Sequence, residues 1–215
     1  MKLSEQEKFW SGEFGRAYTE RNTHDVENFA KVSKELWGKS KLEMNEISLA
    51  PVSKDSKILE VGCNTGMQLR GLQEMGFEYL YGIEIQKYAV ERAKDFTKNV
   101  SIIQASGFDL PFKDGYFDLV YTNGVLIHIA PADLPKIMDE MYRCSSKYIW
   151  GWEYFSEEVT NINYRGNEGF LWKANYAQLF LDRFPDLKLV SYQDYPYLTA
   201  NEKGNTDRMY LLEKA

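Results

Sequence analysis

The chain has 215 residues, a formal net charge of −6, 44% hydrophobic and 27% charged residues, and two cysteines. That length suits one domain with a substantial buried core, and the acidic balance excludes a general binder of nucleic-acid backbone, which needs basic surface. Cys63 and Cys144 stand in dissimilar contexts and give neither a disulfide framework nor a zinc pattern.

The first residues lack an apolar signal core and no run reaches membrane-spanning length, so a cytoplasmic protein is expected. Residues 3–50 read as helices without strands. Asn22 or Thr23 is placed to cap a helix whose apolar positions Val26, Phe29, Ala30, Leu36 and Trp37 run up to Gly38. A shorter helix over 42–49 stops before Pro51. Ahead of both, the aromatics of residues 9–22 are too interrupted by glycine for one helical stripe. They read either as a cluster packing this leader onto a sheet or as a lid turning Tyr18 and Arg21 towards a bound ligand.

Residues 57–66 carry the most information: Lys57-Ile58-Leu59-Glu60-Val61-Gly62-Cys63-Asn64-Thr65-Gly66. An apolar strand ends in an acid, a glycine-bracketed turn follows, and a helix begins with Met67, Leu69, Leu72 and Met75 on its apolar positions. Strand, turn and helix in that order open a nucleotide-type crevice. Gly62 and Gly66 alone would suit any strand-to-helix junction. Glu84, ending the next strand-like run 79–83, lies about 20 residues on, where a carboxylate meets a ribose hydroxyl pair. Asn64 holds the place of the middle glycine of a dinucleotide turn, and Glu60 precedes that turn. A carboxylate there repels pyrophosphate and attracts a cation. S-adenosylmethionine, which has a sulfonium, an ammonium and a ribose but no phosphate, therefore fits Glu60, Gly62, Asn64, Thr65 and Gly66 better than NAD does.

From residue 57 onward strands alternate with helices: helix 86–97, strand 100–104, strand 117–123, helix 132–142, strand 147–152 and helix 174–184. Two last strands, 187–195 and 208–213, read as an antiparallel closing pair. The expected fold is α/β and Rossmann-like, a mostly parallel sheet with an antiparallel closing strand and helices on both faces. A helical leader (1–50) precedes a core (51–215) with a substrate-side insertion at 153–170, all in one domain.

In the loop 105–115, Ser106, an amide near Gly107 or Phe108, and a wall of Phe108 with Ile85 suit an adenine. Asn123 ends the strand at whose carboxyl end a reacting group should lie. His128 is a candidate base for a hydroxyl or ammonium nucleophile, or else a hydrogen-bonded packing residue. Glu153 is a second candidate base. Tyr154, Tyr164 and Arg165, in a polar aromatic segment, suit a ring-shaped polar substrate, with Arg165 able to clamp a carboxylate or phosphate. No His/Cys/Asp/Glu spacing suggests a metal, and none is expected.

With these residues in view, the chain resembles the class I S-adenosylmethionine-dependent methyltransferases over its whole length. The carriers are E-x-G-x-x-x-G at 60–66 and Leu110-Pro111-Phe112 with Phe117-Asp118-Leu119-Val120-Tyr121. Asn123-Gly124-Val125-Leu126 differs from the Asn/Asp-Pro-Pro-aromatic tetrad of nucleobase and glutamine methyltransferases. More narrowly, the leader (9–15, Tyr18, Arg21), the 124–129 run and Asn163-Tyr164-Arg165-Gly166 resemble the methylase family associated with pseudaminic acid biosynthesis. The resemblance implies S-adenosylmethionine as cofactor, S-adenosylhomocysteine as product, and a small-molecule acceptor of the nonulosonic, amino-bearing sugar type or its nucleotide-linked form. Alternatives are methylation of a peptide or protein terminus, or a cofactor-binding accessory protein without transfer activity.

Overall fold

The computed structural model describes residues 3–22 and 25–215; Thr23 and His24 lie outside the described residues. The leader forms four helices. A reciprocal Ser4–Glu7 capping box opens α1 (Glu5–Ser11), and Gly12 separates it from α2 (Glu13–Arg21). The next helix, α3 (Val26–Trp37), is capped by Asp25, whose side chain accepts from the Asn28 amide, and ends at Gly38 with φ 77°. Asn22 instead closes α2, its amide donating to the Thr19 and Tyr18 carbonyls. A second capping box, Ser40 with Glu43, opens α4 (Lys41–Ser48).

The core runs β1 (Lys57–Val61), α5 (Met67–Glu74), β2 (Tyr79–Glu84), α6 (Lys87–Phe96), β3 (Val100–Gln104), β4 (Phe117–Asn123), α7 (Leu134–Cys144) and β5 (Ser145–Tyr154). A two-stranded ribbon, β6 (Thr160–Asn161) with β7 (Trp172–Lys173), is followed by α8 (Tyr176–Arg183), β8 (Leu187–Pro196) and β9 (Thr206–Lys214). The main sheet has the order β3-β2-β1-β4-β5-β9-β8, with β9 antiparallel to both neighbours and the rest parallel. The expected fold class therefore stands.

Strand order reverses between β1 and β4, so the carboxyl ends of β1, β2 and β4 border one crevice, as in open α/β sheets generally. Alternate residues of β1 feed opposite faces. Leu59 and Val61 join Val120, Ile137 and Met141 in one apolar cluster, while Ile58 joins Leu69, Leu72, Leu119 and Trp150 in the other. Helix α4 seals the second face: Met44 is fully buried there, and the Trp150 indole donates to Ser48 Oγ at 2.9 Å.

Among the boundaries that shift by a few residues, one bears on the expected site. β5 continues two residues further than the sequence pattern suggests, because Glu153 and Tyr154 pair with Arg208 and Asp207 of β9. Both residues thus belong to the sheet and not to the insertion. No helix among the described residues is long and apolar enough to cross a membrane.

Candidate active site

A crevice of about 280 Å³ lies over the carboxyl ends of β1, β2 and β4 and is roofed by α1 and α2. Its floor is the turn after β1. Gly62 has φ +77°, and a Cβ there would stand 2.6 Å from Val125 Cγ2, so only a bare backbone fits. Asn64 takes φ 47°, a left-handed conformation that asparagine tolerates better than other side-chain-bearing residues. Its amide donates to Glu84 Oε2 at 2.9 Å, and its side chain donates to Thr19 Oγ1 of α2 at 3.1 Å. Thr65 lines the crevice beside it, with its amide on Asn64 Oδ1. Gly66 does not line the crevice: it starts α5 at φ +78°, and a Cβ there would meet Thr97 Cγ2 at 2.7 Å. Its expected part in ligand contact thus becomes one of helix packing.

Glu84 is 7% exposed and accepts the Asn64 and Gln86 amides, the latter at 2.8 Å. A carboxylate has about four acceptor sites, so acceptor capacity remains for a ligand. Burial pushes its pKa up, and the Gln86, Asn64 and Ile85 amides hold it down. Glu60 is 3% exposed, and its Oε2 has no hydrogen-bond partner. Burial raises this carboxyl to about 8, against the pull of the Tyr121 hydroxyl and the Lys41 charge. It is an orphaned buried acceptor in a ligand-sized space.

Further along the crevice, Ile85, Ser106, Gly107 and Phe108 form the expected adenine side. Ser106 Oγ donates to Glu7 Oε1 at 2.6 Å and accepts from the Phe108 amide at 3.1 Å. At the other end stand Asn123, Val125 and His128. His128 Nδ1 lies 2.7 Å from the Phe170 carbonyl; a carbonyl only accepts, so the proton sits on Nδ1 and Nε2 keeps a lone pair. The ring lies between Trp10 and Tyr164, with centroids 4.6 and 4.9 Å away. Burial lowers its pKa to about 4, so the imidazole is neutral at physiological pH. Tyr18 lines the crevice from α2, and burial raises its hydroxyl to about 12.

Several expected residues lie elsewhere. Glu153 sits behind the 125–128 turn, its two oxygens accepting the Val125 and Ile127 amides at 3.2 and 3.3 Å, and it does not line the crevice. Burial takes it up to about 7. Its geometry is that of a turn-holding carboxylate and not of a base at the reacting centre. Arg21 is exposed, its guanidinium 5.8 Å from the Phe14 ring. Arg165 is exposed at φ 51° in the turn closed by Tyr164 and Asn167. Tyr164 backs His128 without lining the crevice, and Tyr154 packs edge-on against Tyr197, 5.7 Å away.

Four residues escaped the sequence reading. Glu7 and Trp10 line the roof, and the Trp10 indole N–H is buried without a partner. Gln86 holds the leader down by donating to the Trp10 and Gly12 carbonyls at 3.2 and 2.8 Å. Lys41, 3% exposed, donates to Asn123 Oδ1 at 3.3 Å and lies over the Trp152 ring. Burial drives its pKa well down, opposed by Asp207, Glu60 and Glu153. Trp10 belongs to the aromatic run read as a cluster or a lid, and Glu7 left the Ser-x-x-Glu of a capping box, which announces a helix start and not a ligand; Gln86 and Lys41 left no such trace.

The crevice is acidic. Glu7, Glu60 and Glu84 line it, and among its described lining residues there is no lysine or arginine. No cluster of three or more His, Cys, Asp and Glu placed to hold a metal ion occurs among the described residues.

Residues 59–147 match the family model of a methyltransferase domain. An uncharacterized methyltransferase of Synechocystis is 32% identical over 92 residues, 43% of this chain and 43% of that protein. The 24-methylenesterol C-methyltransferase 2 of Arabidopsis thaliana is 30% identical over 103 residues, 45% of this chain and 28% of that protein. The chain thus matches less than half the length of these curated relatives. Among solved structures, the 1,6-didemethyltoxoflavin-N1-methyltransferase of Burkholderia thailandensis, bound to 1,6-didemethyltoxoflavin and S-adenosylhomocysteine, superposes with a TM-score of 0.67 at 12% identity, covering 100% of this chain and 92% of that one.

Proposed function

Starting from a chain of the class I S-adenosylmethionine-dependent methyltransferase fold, we propose that it transfers a methyl group from S-adenosylmethionine to an oxygen or nitrogen of a small polar molecule. The observation that carries this reading is the acidic lining of the crevice: Glu7, Glu60 and Glu84, with no lysine or arginine among the described lining residues, disfavour a pyrophosphate, and Glu60 once ionised suits a phosphate-free cation. When bound, the cofactor supplies a methyl group on a sulfonium, already a strong electrophile. The protein's part is to hold, orient and exclude water. Glu84 keeps acceptor capacity for a ribose diol, Ile85 and Phe108 wall the base, and Glu60 offers its free oxygen to a cation. The roof of Trp10 and Tyr18 keeps solvent from the reacting end.

For the acceptor we retain an amino-bearing acidic sugar. Arg21 and Arg165 are exposed outside the crevice lining, but against burial they pull the Tyr18 pKa down, and that positive charge beside the roof supports an acidic acceptor. His128, with a free Nε2 lone pair, is the base this arrangement offers to a hydroxyl or ammonium. For His128 as base, turnover at saturating cofactor should show no acid limb near 6.5, because its pKa lies at about 4. His128→Gln should slow turnover by about a hundredfold. A limb near 6.5, or unchanged turnover in the variant, removes it from the base role.

The cofactor reading is tested by calorimetry with S-adenosylhomocysteine, whose α-ammonium is a cation. Glu60 must lose its proton to meet that cation, so affinity should rise, by roughly tenfold or more, as pH goes from about 6 to 8, with proton release on binding. Glu60→Gln should bind more weakly and without that slope. Absence of binding, or equal binding of NAD, defeats the reading. Supplying isotopically labelled methyl donor to a cell extract, then separating protein from small molecules, places the acceptor; label in protein would favour a peptide or protein terminus.

A further inference from the structure

We propose that Glu7, on the leader helix α1, recognises the exocyclic amine of the cofactor's adenine together with Ser106. This rests on the cofactor reading above and adds a binding residue to it. An adenine amine offers two N–H donors and is told from a hypoxanthine carbonyl only by acceptors placed opposite it. The loop after β3 contributes four residues to the crevice wall, Ala105, Ser106, Gly107 and Phe108, and Ser106 supplies the one side-chain oxygen among them. That oxygen is largely spent: its hydrogen goes to Glu7 Oε1 at 2.6 Å, and one lone pair takes the Phe108 amide at 3.1 Å.

Glu7, 99 residues earlier in the chain, fills the gap. It lines the crevice, and its carboxylate is fixed from two sides. Oε2 accepts the Ser4 amide at 2.7 Å and Oε1 accepts from Ser106. An ionised carboxylate is acceptor-only with about four sites, so unused lone pairs remain beside the loop. A bond to that charge is stronger than one to a serine hydroxyl. A glutamate serving as a helix cap alone would use its oxygens on its own helix; here one oxygen crosses to the loop after β3. The helix that carries it is pinned on both flanks, by Gln86 on the Trp10 and Gly12 carbonyls and by Gln6 on the Gly169 carbonyl at 3.3 Å. The leader thus delivers to the base a carboxylate that the loop itself lacks, and a pocket of acceptors leaves a carbonyl at that position unpaired.

The test compares S-adenosylhomocysteine with S-inosylhomocysteine by calorimetry on the full chain. The native protein should prefer the adenosine form by about a hundredfold or more. Glu7→Ala should weaken that form about tenfold and collapse the preference, whereas Glu7→Gln, whose amide can donate to a carbonyl, should move it towards the inosine form. Ser106→Asp added to Glu7→Ala should restore the preference by returning a carboxylate from the loop side. Ser4→Ala breaks the cap but keeps Glu7, and should leave the preference intact. If both Glu7 variants bind S-adenosylhomocysteine with the native preference, or if Ser4→Ala reproduces their loss, the assignment is overturned. If the native protein binds neither compound, the cofactor reading fails and takes the assignment with it.

Discussion

Replacing Glu84 with alanine is expected to lower affinity for S-adenosylhomocysteine by at least about a hundredfold while leaving the fold in place. Two bonds from a ribose diol to a charged acceptor contribute roughly 1.5–3 kcal/mol each, so losing them alone reaches that factor. The second loss is internal. Glu84 holds the Asn64 and Gln86 amides at 2.9 and 2.8 Å, and alanine leaves both donors without their acceptor. Asn64 sits at φ 47° in the floor turn, so its release also loosens the surface on which the methionine part would rest. Glu84→Gln should fall between the two: one oxygen remains, but the amide nitrogen must face one of two donors. Calorimetry with a melting curve on each variant checks the expectation. Undiminished affinity in the alanine variant would remove Glu84 from the ribose site.

Gly15→Ala should detach the roof from the sheet. A Cβ at residue 15 would lie 1.7 Å from the Trp10 carbonyl oxygen and 2.7 Å from its carbon. Those are backbone atoms, so no rotamer change relieves the clash, and the elbow between α1 and α2 must open. Overpacking of this kind costs about 1–3 kcal/mol and sometimes more, a drop of at least a few degrees in Tm for a chain of this size. The Trp10 carbonyl also accepts from Gln86, so the same movement breaks a bond that holds the leader down. Hydrogen exchange should show residues 5–21 losing protection while β1 and β4 keep theirs, and cofactor affinity should fall about tenfold with loss of the roof. Intact protection in the leader would show that the elbow yields elsewhere.

The sheet was largely legible in the sequence because its signals are local. Apolar runs, glycine turns and Glu60 and Glu84 at strand ends lie within a few residues of what they specify. What stayed hidden depends on pairing across the molecule. Whether β5 ends at 152 or 154 is decided by β9, some fifty residues on. Glu153 looks like a free acid after a strand until the Val125 and Ile127 amides are seen to hold it. Arg165 and Tyr164 have the composition of a binding segment, yet the turn that joins them directs the arginine to solvent and the ring to His128. The leader was the least legible part. Gln86, Glu7 and Lys41 act only through partners that the fold brings to them.

Lys41 has a consequence for how freely the first fifty residues can change. Its amine lies under the crevice among the carboxyl groups of Glu60, Glu153 and Asp207, which come from β1, β5 and β9 and oppose the fall in its pKa that burial causes. Acids of three strands thus share one basic group that the leader brings. A leader exchanged for another sequence of equal helicity would still have to place a basic group at this depth, or leave three buried carboxyls without one beside them. Helices α1 and α2 can be altered for ligand preference with the acids of the sheet left alone. Helix α4 cannot, because it places Lys41 among them as well as packing on the sheet.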